Sequence, residues 1–109
     1  ANAVPVYTPP GTQLMVAGKK KAFSLGSFSD SGVKDKWKIS INWGDGATED
    51  FGTDQQGDIR NVEHIYIVAG QYIVLISVRD EDGGITNGQF NVQDVSKASH
   101  ILVLPSIRR

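Results

Sequence analysis

The sequence predicts an all-β chain folded as an antiparallel sandwich, and three observations carry that reading. Apolar and polar residues alternate along several short runs. Gly, Asp and Pro punctuate the intervals between those runs. No segment holds a long 3.6-residue apolar period, so helix is expected to be almost absent. The length, 109 residues, suits one domain. It leaves no room for the crossover helices that parallel strands require.

The strands follow in chain order and take the letters of an immunoglobulin-like sandwich of about seven strands. Residues 4–16 supply strand A, and Pro5, Pro9 and Pro10 make it an edge or linker-like piece. Strand B lies near Lys21–Ser29. Phe23 and Leu25 keep one phase there until Gly26-Ser27 shifts it to Phe28, which suggests a bulge. Strand C, near Trp37–Trp43, alternates most clearly: Trp37, Ile39, Ile41 and Trp43 share one face, with Lys38, Ser40 and Asn42 between them. Strand E lies near Val62–Tyr66 and strand G near Thr86–Val92. Strand F, near Gln71–Arg79, turns Tyr72, Val74, Ile76 and Val78 inward and leaves Ile73 and Leu75 on the opposite face. Strands C and F are expected to run antiparallel to B, E and G. The end of B, the start of C, the end of F and the start of G are expected to meet at one pole.

Between Trp43 and Phe51 the chain must reverse. Gly44 and Gly46 permit positive φ, and Asp45 can accept bonds from neighbouring amides. The Ala47–Phe51 stretch returns as a short strand, with Phe51 packed and Asp50 in water. The tripeptide Asp50-Phe51-Gly52 matches a kinase metal-binding signature, but the lysine strand and the His-Arg-Asp loop of a kinase are missing.

Composition narrows the function classes. The formal net charge is −1 and the pI about 6.1, which does not suggest a nucleic-acid binder. The single basic run, Lys19-Lys20-Lys21, reads as a solvated turn before a strand. No apolar stretch approaches the roughly 20 residues of a membrane-spanning helix, so no membrane insertion is expected. The chain contains no Cys, which excludes thiolate catalysis and Cys-based zinc sites and leans toward a bacterial origin. The opening Ala-Asn-Ala-Val-Pro-Val carries neither an initiator Met nor a signal peptide, as in a segment of a longer protein.

Catalytic patterns fare poorly. His64 and His100 have no Gly-X-Ser-X-Gly near them, and His64 sits in a strand, where hydrogen-bonded packing is the expected role. Gly11 and Gly18-Lys19 are spaced too far apart for a phosphate loop, and Lys20 stands where that loop needs Ser or Thr. Glu49 and Asp50 resemble a glycosidase pair, but neighbours on a strand point to opposite faces.

The stretches "WKISINWGDGATEDF" and "HIYIVAGQYIVLISVRDEDGG" resemble the PKD (polycystic kidney disease) domain. The motifs are Trp43-Gly44-Asp45-Gly46, His64-Ile65-Tyr66, Gly70-Gln71-Tyr72-Ile73-Val74 and the turn Asp80–Gly84, in the family's order. "FSLGSFSDSGVKDKW", Phe23 to Trp37, is similar to the version repeated in large bacterial surface proteins. The resemblance covers about residues 4–95. It implies an immunoglobulin-like sandwich of seven strands, an extracellular setting and no catalysis. The implied role is adhesion through protein or carbohydrate contacts, or that of a structural spacer between neighbouring domains. A row of exposed aromatic rings would favour carbohydrate, and the aromatics here fall mostly on core-facing parity. Tyr72 matches the tyrosine-corner position, and Val74 stands where antibody domains put a Cys. Two features depart from the family: Ile73 and Leu75 replace the usual outward Thr, and the tail "SHILVLPSIRR" is unlike a short linker. The division expected is a domain over residues 1–95 and a linker, tail or extra strand over 96–109.

Some family members bind calcium, and the expected pole gathers Asp30, Asp35, Asp80, Glu81 and Asp82. Calcium takes about six to eight oxygen ligands. Asp30, Asp35, Asp80 and Asp82 are therefore the candidate metal ligands. The competing reading is a hairpin turn whose acids cap backbone groups, with Lys34, Lys36 and Arg79 offsetting their charge.

Overall fold

The computed structural model describes residues 4–31 and 36–95. These contain ten strands and no helix. The strands are β1 (Val6–Thr8), β2 (Gln13–Met15), β3 (Lys20–Phe23), β4 (Ser27–Ser29), β5 (Trp37–Asn42), β6 (Thr48–Thr53), β7 (Gly57–Asp58), β8 (Val62–Ile65), β9 (Gln71–Asp80) and β10 (Ile85–Asp94). One layer is a five-stranded sheet in the order β2-β10-β9-β5-β6. The other is built from β1-β4-β7 and β3-β8.

Short segments reduce to about seven lettered strands because two of them break together. β3 and β4 form strand B, and β7 and β8 form strand E beside it. Gly26, with φ 92°, lies at the break in B, and its carbonyl accepts from Ile59 N at 2.9 Å in the break of E. The phase shift read as a bulge is thus an interruption shared by two strands. Strand A also divides. β1 pairs with β4, then Pro9-Pro10 carry the chain across, and β2 pairs with β10 in the other sheet. Proline has no amide to donate, so this stretch can leave one ladder and join the next.

The directional expectations are corrected. β5 pairs antiparallel to β9, so C and F do not share a direction, and β3 pairs antiparallel to β8, so B and E do not either. β2 lies parallel to β10, one parallel pair in an otherwise antiparallel arrangement. A strand hydrogen-bonded between antiparallel neighbours must reverse relative to each. The grouping at the pole survives, because the start of β5 meets the end of β9: Trp37 is the register partner of Asp80.

The core lies between the sheets. Trp37, Ile39, Ile41 and Trp43 all point into it, beside Val74, Ile76 and Val78 of β9 and Phe90 and Val92 of β10 on the same face of the larger sheet. Phe23, Leu25, Phe28, Ile59, Val62 and Tyr66 close it from the second sheet. Val74, at the antibody Cys position, is fully buried. Burial therefore occupies the place of a disulfide. Phe51 packs on the core edge beneath the Arg60 guanidinium, 4.0 Å from its ring centroid, and Asp50 is exposed 3.3 Å from Lys38.

The two poles hold different side chains. β9 runs from one to the other over ten residues, roughly 30 Å at strand rise. The chain enters at the pole where Val6 pairs with Ser29. It leaves at the other, where Asp94 N donates to Gly70 O at 3.1 Å and Val95 N to Met15 O at 2.9 Å. The first is called the acid pole below and the second the ring pole.

Candidate functional site

The ring pole is built from the turn after β5. Gly44 has φ 88°, and a Cβ there would lie 2.6 Å from the Ile73 carbonyl, so only glycine fits. Asn42 Oδ1 accepts from Gly44 N at 3.0 Å, and Asp45 Oδ1 accepts from Ala47 N at 3.0 Å. These bonds aim the second oxygen of Asp45 at β8, where it meets His64 Nε2 at 2.8 Å. The imidazole stacks on Trp43, centroids 4.4 Å apart and planes 2° from parallel. Tyr66 meets that imidazole edge-on at 4.7 Å and donates its hydroxyl to Trp43 O at 2.7 Å. Tyr72 stacks on Tyr66 at 4.2 Å and donates to Val68 O, four residues upstream, as a tyrosine corner does.

The electrostatics follow from this packing. Burial alone pushes the Asp45 carboxyl up, but the Ala47 amide and the His64 ring together outweigh it and hold it below the ordinary value. Tyr66 is pushed well above the usual phenol range, first by burial and then by the charges of Asp45 and Tyr72. His64 is thereby fixed between a carboxylate and two rings, and its side chain is only 14 % exposed. The packing role expected for His64 agrees with this placement.

At the acid pole, Asp30 is buried at the end of strand B and accepts from Trp37 Nε1 at 3.0 Å. Asp80, buried at the end of β9, accepts on Oδ1 from Asp82 N at 2.9 Å and Gly84 N at 2.8 Å. It caps its own hairpin. Its Oδ2 is buried with no hydrogen-bond partner. Asp82 is exposed on the turn, and Asp35 lies outside the described residues. Among the described residues no three His, Cys, Asp or Glu side chains converge as a metal-binding group. The structure thus brings Asp80 and Asp82 into one turn and seats Asp30 on Trp37, itself the partner of Asp80 across the strands.

Two pairings were not read from the sequence: Asp45 with His64, and Asp30 with Trp37. All four residues sit in or beside the quoted motifs, and that was the available signal. A hollow of about 600 Å³ on the outer face of the larger sheet was missed as well. It arises where the small Ser40 and Ser77 face each other among taller neighbours such as Asn42, Leu75 and Gln89.

Among the described residues no helix is long and apolar enough to cross a membrane. The search of curated proteins finds no match. Among solved structures the chain is similar to the PKD domain of an M14-like peptidase from Thermoplasmatales archaeon SCGC AB-540-F20. The TM-score is 0.63 at 21% identity, covering 84% of this chain and 92% of that one. At that identity the likeness supports the fold. The family model described as PKD domain matches residues 2–95. With that match spanning all of the described strands, the chain belongs to the PKD domain family.

Proposed function

We propose that the chain is a non-catalytic extracellular module of a larger secreted or cell-surface protein, working through contacts with protein, neighbouring modules included. PKD domains are generally non-catalytic and occur usually in extracellular proteins, which supports the setting. The observation that carries the partner class is the fate of the rings. No aromatic side chain among the described residues is exposed, whereas Ile67, Val68, Ile73 and Leu75 are. A polysaccharide surface is gripped by stacking rings, and this module offers aliphatic groups instead. The test is calorimetric titration with soluble glucan and chitin oligosaccharides. No heat of binding at millimolar sugar is expected, and saturable binding would replace protein by carbohydrate as the partner.

A spacer role is the second reading, favoured by the chain entering at one pole and leaving at the other. Calcium at Asp30, Asp35, Asp80 and Asp82 is a separate proposal, and the fit is partial. Asp80 Oδ2 is an orphaned buried oxygen of the right chemistry. Asp30 Oδ2 is already engaged by Trp37, and the described residues do not assemble a shell. Calcium bound to the folded state alone raises the melting temperature as its concentration rises. A transition unchanged between chelator and millimolar calcium would retire the proposal.

A further inference from the structure

The two sides of the larger sheet end differently. On one side β6 carries Glu49 and Asp50, and the Arg60 guanidinium lies over its Phe51 ring at 4.0 Å. Charge on an edge strand discourages further pairing. On the other side β2 covers β10 only from Val92 to Asp94. Among the described residues, no strand pairs with Ile85–Asn91 on that side. The open stretch reads Ile-Thr-Asn-Gly-Gln-Phe-Asn, with no charge and no proline. Its register with β9 runs unbroken from Ile85 to Gln93, so no bulge bends it away. A straight, uncharged edge is a template for another strand.

The direction of its backbone groups is fixed at the far end of β10. Asp94 N donates toward β9, to Gly70 O, and Val95 N donates the other way, to Met15 O. Backbone groups alternate in direction along a strand. Asn87 and Gln89 therefore turn their N–H and C=O to the open side, and their side chains are exposed on the outer face of the sheet. Gly88 between them faces the interior, where a Cβ would collide with the Tyr7 ring. Tyr7 is held there by its hydroxyl, which donates to Leu25 O at 2.6 Å. The edge is thus backed by a filled interior, and its outward backbone groups have no strand to meet.

We propose that β10 pairs with β10 of a second copy of this chain, antiparallel about a two-fold axis at Gly88. Gly88 is the middle of the open stretch, so this register uses all of it. Asn87 then lies opposite Gln89 of the second copy, and Gln89 opposite Asn87 of the second copy. These are the residues whose N–H and C=O point outward, so each pair exchanges both backbone bonds. Their side-chain amides, each donor and acceptor at once, lie side by side on the outer face. The charges favour this edge over the other. Neither copy brings a charge to the β10 pair, whereas the same pairing at β6 would gather two copies of Glu49 and Asp50. The nearest acid along the strand, Asp94, is buried, covered by β2 and accepts from Ala17 N at 3.2 Å. A two-fold contact closes at two copies. One added strand makes a small contact, so the association is weak.

This pairing rests on the reading of the chain as a protein-contact module. The two failures are distinguishable, because sugar binding would overturn that reading and a monomer only this one. The experiment is sedimentation equilibrium on the chain at about 1 mM, in low and high salt. Dimers and nothing larger are expected, with little dependence on salt because no charge lies in the contact. Asn87→Lys with Gln89→Lys sets lysine against lysine across the axis and should weaken the dimer about tenfold or more. Asn87→Glu with Gln89→Glu should do the same. Both changes fall on exposed side chains, and each variant should melt like the parent. Mixed, the two variants should form heterodimers at least as tight as the parent dimer, because each lysine then meets a glutamate. A monomeric parent, species larger than a dimer, a lysine variant that associates like the parent, or a mixture that stays monomeric would overturn the proposal.

Discussion

At the ring pole, Trp43, His64, Tyr66 and Tyr72 form a continuous stack, and each polar atom named there is satisfied by a neighbour in the sandwich. At the acid pole, one indole and two backbone amides are held by carboxylates, and one carboxylate oxygen is left without a partner. The same two sheets are closed by packing at one end and by local capping at the other. Packing links residues far apart in the chain: Tyr66 reaches Trp43, 23 positions away. Capping stays within the turn, as when Asp80 serves Asp82 and Gly84. Damage at the ring pole should therefore be global and damage at the acid pole local.

The largest effect is expected from Trp43→Ala. The side chain is 1% exposed and touches Phe23, His64 and Tyr66. Removing a buried Trp costs about 3–5 kcal/mol, a large share of the roughly 5–15 kcal/mol that keeps a domain folded. Chemical denaturation reads it directly. A midpoint equal to the parent's would mean that the ring pole does not hold the sandwich.

Next comes Asp80→Ala, which strands the amides of Asp82 and Gly84. Both amides are only partly buried, so the cost is about 1 kcal/mol, at the low end for unmet donors. Asp80→Asn keeps a carbonyl acceptor for both and should stay closer to the parent. Amide exchange locates the damage: protection should fall in the Asp80–Gly84 hairpin and persist at Trp43 and His64. A uniform loss of protection would contradict the division between local and global poles.

How much of this was legible in the sequence depends on the range of the interaction. Alternation along β5 and β9 told which residues face the core, because side-chain parity is a property of a single strand. The Gly44-Asp45-Gly46 turn was readable because it too is local, down to the hydrogen bond that Asp45 accepts from a neighbouring amide. Which strands pair, and in which direction, depends on the other strands. Hence the direction of C relative to F was misread, and the split of strand A between sheets was not foreseen. The Asp45–His64 contact joins positions 19 apart in sequence and depends on the register of two strands in different sheets. Only the common presence of both residues in motifs pointed to it.

A smaller effect separates charge from packing inside the ring pole. The folded-state carboxyl of Asp45 lies below its ordinary value of about 3.9. Its stabilisation is then fully present above that ordinary value and disappears as the pH falls through the lowered folded value. Asp45→Asn keeps the side-chain carbonyl but cannot titrate. Melting temperatures measured across the acid range should fall less steeply for the variant than for the parent. Parallel curves would show that the Ala47 and His64 contacts do not favour the charged form.

The smallest effect concerns the sheet face between the poles. Ile73 and Leu75 are 51% and 47% exposed, where the family resemblance implies Thr. If exposed aliphatic area alone made a contact, this face would compete with Ile67 and Val68. Nearest to Leu75 are Asn42 and Gln89, its register partners, which are polar and uncharged. Replacing Ile73 and Leu75 together by Thr should therefore change stability by no more than about 0.5 kcal/mol, as for most surface sites. Sedimentation equilibrium of the Thr variant beside the parent reads whether this face joins copies. An unchanged molar mass is expected, as for scattered aliphatic groups on a surface. Association that is present in the parent and lost in the variant would instead make the aliphatic pair a contact.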